Sequence, residues 1–101
     1  MRIVALLKLK ENVDVEEYKK WFREKDMPAG LKLPCTKSYY MTELEEVYGV
    51  EKKHQFMEIW DVTGKEEWLK MGEFDWMKEI EEDYDKYIDS TQTQIFYGID
   101  V

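Results

Sequence analysis

Cys35 and His54 are the only cysteine and the only histidine among 101 residues. A single thiol permits no internal disulfide, which fits a reducing compartment such as the cytoplasm. One imidazole and one thiol cannot assemble the recurrent zinc-ligand spacings, and a heme would find only His54 as an imidazole ligand. There is no glycine-rich phosphate loop, no dinucleotide fingerprint and no serine-nucleophile motif. The expectation is therefore a protein that works without a metal or an organic cofactor. No apolar run is long enough for a membrane span, and Met1-Arg2-Ile3 runs straight into a strand without the small-residue cleavage pattern of a leader. Positive charge is also scarce: 15 Lys and Arg against 23 Asp and Glu give a formal net charge of -8. That balance opposes nucleic acid and anionic membranes as partners. The pairs Lys19-Lys20 and Lys52-Lys53 stand among carboxylates and read as solvated surface.

What the chain does have is a surplus of apolar strand surface. In Ile3 to Leu9, strand alternation puts Ile3, Ala5, Leu7 and Leu9 on one side and Val4 and Leu6 on the other. A strand from His54 to Val62 sets Phe56, Glu58, Trp60 and Val62 against Gln55, Met57, Ile59 and Asp61. Two further strands are expected, from Thr36 to about Leu44 and from Thr93 to Ile99. A sheet face left to water is normally polar. The second face is therefore expected to meet another subunit, to enclose a ligand, or both.

Two helical regions separate these strands. Asp14-Val15-Glu16-Glu17 has capping-box spacing, with Val13 and Tyr18 placed as a hydrophobic staple. The first helix should run from there through Tyr18, Trp21 and Phe22 to Lys25, and end or break at Asp26-Met27-Pro28-Ala29-Gly30. Thr63-Gly64-Lys65-Glu66 reads as a second capping box. It opens a long helical region through Trp68, Leu69 and Met71, bent near Gly72, and continuing over Trp76, Met77, Ile80, Tyr84, Tyr87 and Ile88. The order β-α-β-β-α-β in one domain, residues 1–101, is the split βαβ plan of the α+β, ferredoxin-like fold. Right-handed crossovers then place both helical regions on one face of a four-stranded antiparallel sheet in the order 4-1-3-2.

The stretch WFREKDMPAGLKLPCTKSY, Trp21 to Tyr39, carries an aromatic helix, the Asp26-x-Pro28 step, the Leu33-Pro34 turn and a strand opening at Lys37-Ser38-Tyr39. Together with Phe56-Met57-Glu58-Ile59, it resembles the REDY-like proteins of prodiginine pathways within the dimeric α+β-barrel group. The likeness to EthD-like proteins is more distant. The resemblance implies a homodimer whose sheets face each other, with a pocket between each sheet and its helices or inside the barrel. It also implies action without metal or organic cofactor on aromatic, pyrrolic or polyketide-like compounds, as a cyclase, isomerase or monooxygenase. EthD-like sequences commonly have a histidine where Asp26 stands, so a histidine-dependent activity does not carry over.

Glu58 is the most suggestive polar residue, because it lies between Phe56 and Trp60 on one face of a central strand. Burial there raises a carboxyl pKa and equips it for proton transfer near neutrality; the structural alternative is an interface carboxylate paired with a lysine or tyrosine. His54 offers a proton shuttle or a solvent-exposed strand end. Asp26 either satisfies backbone amides in a turn or points into the cleft beside Trp21 as a second carboxylate facing Glu58. Trp21, Tyr39, Tyr40, Trp60 and Tyr97 are the candidates for an aromatic, small-molecule-binding pocket, or else plain core. A noncatalytic carrier accounts for the same residues as an enzyme does.

Overall fold

A computed structural model describes residues 1–101. Its strands are β1 (Arg2–Leu7), β2 (Thr36–Glu43), β3 (Phe56–Val62) and β4 (Gln94–Gly98). They form one antiparallel sheet in the order β2-β3-β1-β4, so the two most apolar strands are central, as their composition demands. The observed strands are shorter than the apolar patterns. Leu9 pairs only through an isolated bridge to Ile88, and His54 and Gln55 precede β3.

Burial alternates strictly along β3, with Phe56, Glu58, Trp60 and Val62 inward beneath the helices. Ile3, Ala5 and Leu7 do the same on β1. The apolar ones among these residues meet Tyr18, Trp21, Phe22, Met77, Ile80 and Ile88 in one core. Each large side chain so buried contributes roughly 1.5–3 kcal/mol. The opposite sheet face aligns Tyr40, Ile59, Val4 and Phe96 across all four strands. Tyr40 and Phe96 there remain 50% and 53% exposed.

Helix α1 (Val15–Trp21) is capped by Asp14, whose Oδ1 accepts from the Glu16 and Glu17 amides at 2.8 and 3.2 Å. Only this half of the expected box forms. The helix does not end at Asp26. It widens into a π turn (Phe22–Asp26) and resumes as α2 (Met27–Leu31). Pro28 has no N–H to give and would crowd a regular turn before it. The wider turn, with the Met27 amide bonded to the Phe22 carbonyl five residues back, admits the proline without breaking the rod.

The second helical region differs more from expectation. The Thr63 capping box is absent: Gly64 itself is the N-cap residue, with no side-chain cap. The Glu67 carboxylate lies where a Cβ on Gly64 would stand. Helix α3 (Lys65–Leu69) is followed by a tight turn (Met71–Glu73), then an extended Phe74, then α4 (Asp75–Tyr87). The region is therefore two helices joined by an elbow rather than one bent helix. The elbow leaves space above the sheet.

Candidate functional site

The space beneath that elbow is a cavity of about 260 Å³, mainly apolar, with Ala5, Trp60 and Tyr39 of the sheet below and Trp68, Met77 and Tyr84 of the helices above. Leu69, Glu81 and Ile95 also line it and are themselves exposed, so they mark its mouth. Asp26 and Glu58 are its buried acids, only 3% and 4% exposed.

Three elements bring these groups together. Glu58 is fixed by the alternation of β3, with Ala5 and Met41 as its lateral neighbours. Tyr39 faces Trp60 across the β2–β3 ladder, and their rings stack with centroids 3.5 Å apart and planes 14° from parallel. Asp26 closes the π turn. Helix α2 is seated tightly on the stacked pair through Gly30, where a Cβ would lie 2.6 Å from Tyr39 and 2.8 Å from Trp60. Only glycine allows that approach.

The Tyr39 hydroxyl lies 2.6 Å from Glu58 Oε2 and 2.9 Å from Asp26 Oδ2. A phenol has one hydrogen and donates to one acceptor. Both contacts are satisfied only when a carboxylic acid proton supplies the second bond, so the group holds an extra proton between its two acids. The electrostatics agree. Burial pushes Glu58 up to about 8, with the neighbouring Asp26 charge adding to the rise. Burial pushes Asp26 up to about 7, while hydrogen bonds from Tyr39 and Glu58 act to hold it down. The two carboxyls therefore titrate as a pair, losing their protons in two steps above the ordinary carboxylate range. The Tyr39 phenol is driven far up by burial and by both carboxyls, and stays neutral. Such a cluster can give a proton and take one back at neutral pH.

The other expected site residues go elsewhere. Trp21 packs on Tyr18 and Tyr87, and its indole N–H reaches Asp83 at 3.4 Å. Tyr40 lies on the open sheet face. The Tyr97 hydroxyl reaches the Met1 sulfur, with the Lys65 ammonium 5.7 Å from its ring. His54 Nε2 is 2.9 Å from the Gln92 carbonyl, beside the last strand and away from the cavity lining. Of the eight expected residues, the cavity gathers Asp26, Tyr39, Glu58 and Trp60. Sequence reasoning missed Trp68, Met77, Tyr84 and Ile95. Their apolar helical and strand periodicities were visible, but the elbow that turns them onto a shared space was not. No group of three or more His, Cys, Asp or Glu side chains is placed to hold a metal ion.

The sheet order and the helices gathered on one side make this a ferredoxin-like α+β protein. Residues 1–98 match the family described as REDY-like protein HapK, and the chain belongs to that family. No curated protein sequence matches it. Among solved structures it is similar to HapK from Hahella chejuensis, with a TM-score of 0.74 at 9% identity, covering 98% of this chain and 93% of that one. An EthD family protein from Bacillus halodurans has a TM-score of 0.70 at 17% identity, with 97% of each chain covered. A dimeric protein with a ferredoxin-like fold from Bacteroides fragilis has a TM-score of 0.65 at 12% identity, covering 97% of this chain and 94% of that one.

Proposed function

We propose that this chain binds a small aromatic, pyrrolic or polyketide-like molecule in the cavity between sheet and helices, and that Asp26, Tyr39 and Glu58 transfer a proton to and from it. The observation that carries the reading is the Tyr39 hydroxyl shared between two buried carboxyls at the wall of an apolar cavity. One carboxyl of the pair gives the proton and the other takes it back, with Tyr39 the link through which one group feels the charge of the other. The chemistry this supports is cofactor-independent proton transfer, as in an isomerisation or cyclisation. The cavity lies just under the range of roughly 300–1,000 Å³ usual for ligand sites, so a ligand of one or two rings fits best. The mainly apolar lining also supports a carrier that binds without reacting.

The active assembly in this proposal is a homodimer in a reducing compartment such as the cytoplasm. The aligned apolar residues of the open sheet face, and the dimeric relative of like fold, support the first part. The buried single thiol supports the second. No helix is long and apolar enough to cross a membrane.

The test is a panel of one- and two-ring aromatic and polyketide-like compounds, screened by thermal shift and followed for conversion. Wild type is expected to bind and convert a member of the panel, and Glu58→Gln to bind it without converting it. Binding with no conversion by either protein establishes the carrier. No stabilisation by any member overturns the ligand-site reading.

A further inference from the structure

The cavity wall carries two buried polar groups that no part of the chain satisfies. The indole N–H groups of Trp60 and Trp68 make no hydrogen bond, and both residues line the cavity. A buried indole N–H normally finds a partner, and leaving one without a partner costs stability. Both groups are donors only, so what they lack is an acceptor. The buried acids do not supply it. Asp26 and Glu58 are engaged with the Tyr39 hydroxyl and with each other. Trp60 comes near enough to Glu58 to favour its charged form, yet not in hydrogen-bond geometry.

The two indoles differ in freedom. Trp60 is held by its stack on Tyr39 and by the close seat of Gly30. Trp68 is half-buried, stands edge-on to Trp60 at 5.9 Å, and rides on α3, a helix of five residues without a side-chain cap, between exposed Glu67 and Leu69. Its nitrogen has almost no open surface as the ring stands, so an occupant meets it after a turn of the ring. The short helix and the edge-on contact allow that turn; the stack on Tyr39 does not allow it for Trp60.

The wall also sets the charge of the acceptor. Its ionisable side chains are Asp26, Tyr39, Glu58, Glu81 and Tyr84, and no lysine, arginine or histidine lines it. An anionic acceptor would lie beside two buried acids with no cation to pair it, and Glu81 at the mouth and the net charge of -8 oppose its approach. A cation has no lone pair to offer an indole N–H. A neutral acceptor oxygen suits both conditions. The Tyr84 phenol, which burial keeps neutral, is a further donor on the same wall.

We infer that the occupant of this cavity is a small, flat, neutral aromatic ketone whose carbonyl oxygen accepts the indole N–H of Trp68. This rests on the proposed reading of the cavity as a ligand site and narrows it to one chemical class. Trp68 is then the residue that distinguishes a ketone from a hydrocarbon of the same shape.

Acetophenone and α-methylstyrene provide the test, because they share a shape and only the first carries an oxygen. The protein has four tryptophans and so four indole signals in a proton–nitrogen-15 correlation spectrum, and Trp68→Phe identifies the one that belongs to Trp68. Titration with acetophenone is expected to move that signal downfield, as a newly bonded N–H does, and titration with α-methylstyrene is not. Loss of ring area in Trp68→Phe affects both probes alike, so the difference between them reads the hydrogen bond: acetophenone is expected to weaken about five-fold more than α-methylstyrene. If Trp68→Phe fails to fold, the wild-type spectra, assigned by nuclear Overhauser contacts, carry the test alone. Equal weakening of the two probes, or a Trp68 signal that both move alike, overturns the acceptor assignment and leaves the ligand-site reading standing. Binding of neither probe also overturns the assignment, and the panel of the preceding section then decides the ligand-site reading by itself.

Discussion

Glu58 and Asp26 are the residues where folding works against the chain's own charge. Water stabilises a carboxylate far better than an apolar cavity wall does, so the folded protein prefers both acids protonated until well above the ordinary carboxylate range. The sign of the stability effect follows. Between the ordinary values of 4.5 and 3.8 and the raised values of about 8 and about 7, the unfolded chain has lost protons that the folded chain keeps. The contribution of the two acids to stability is therefore fully present below about pH 4 and declines as pH rises to about 8. A single such group costs up to about 1.4 kcal/mol per pH unit. Urea unfolding followed by circular dichroism is expected to show this decline from pH 5 to 8, and a shallower decline for Glu58→Gln, which removes one of the two titrations. Equal slopes for the two proteins contradict the assignment. Glu58 was legible in the sequence because it interrupts an otherwise apolar strand face. The role of Tyr39 was not, because nothing in the spacing of residues 26, 39 and 58 shows that one phenol reaches both acids.

At the scale of elements, the site depends on two departures from regular helix. The π turn over Phe22–Asp26 carries Asp26 to the cavity wall while letting Pro28 stay inside a continuous rod. The elbow at Met71–Glu73 and Phe74 opens the cavity. The sequence marked both places correctly, by Asp26-x-Pro28 and by Gly72, but not the form each takes. A proline and a glycine report where a regular ladder fails; the rest of the core decides whether the chain stops, widens or turns. Gly30 makes the tertiary part of that decision measurable. Replacing a helical glycine by alanine ordinarily stabilises by about 1 kcal/mol, whereas overpacking a filled core costs about 1–3 kcal/mol. The Cβ would strike a stacked tyrosine and tryptophan rather than a flexible side chain, so overpacking wins. Gly30→Ala is expected to lower stability by up to about 2 kcal/mol in urea unfolding and to shift the near-ultraviolet signal of Trp60. A more stable variant with an unchanged aromatic spectrum would show that α2 is not seated as described.

For the whole molecule, one sheet face is covered by helices and the other is not. The fold was largely legible because the apolar alternation of β1 and β3 is two-sided and the element order has few topological solutions. The cavity was not, because its lining comes from strands and helices far apart in sequence. The open face is where Tyr40, Ile59, Val4 and Phe96 align, and it is the natural seat of a second copy in the proposed dimer. Sedimentation at micromolar concentration is expected to give a dimer for wild type and a monomer for Phe96→Asp, since an aspartate there would be desolvated in the interface without a partner. The substituted side chain is half exposed in one chain, so the monomer should remain folded. A monomeric wild type contradicts the dimer, and a variant still dimeric moves the interface elsewhere.

The central claim is that Asp26, Tyr39 and Glu58 form a single proton-holding unit. Carbon-13 NMR titration of the aspartate and glutamate carboxyls, in wild type and in Tyr39→Phe, tests it directly. Wild type is predicted to show one aspartate and one glutamate titrating well above the ordinary carboxylate range, with the curve of the Asp26 signal displaced in Tyr39→Phe where the bridging hydroxyl is gone. All carboxyls titrating near their ordinary values, or identical curves in the two proteins, would contradict the account.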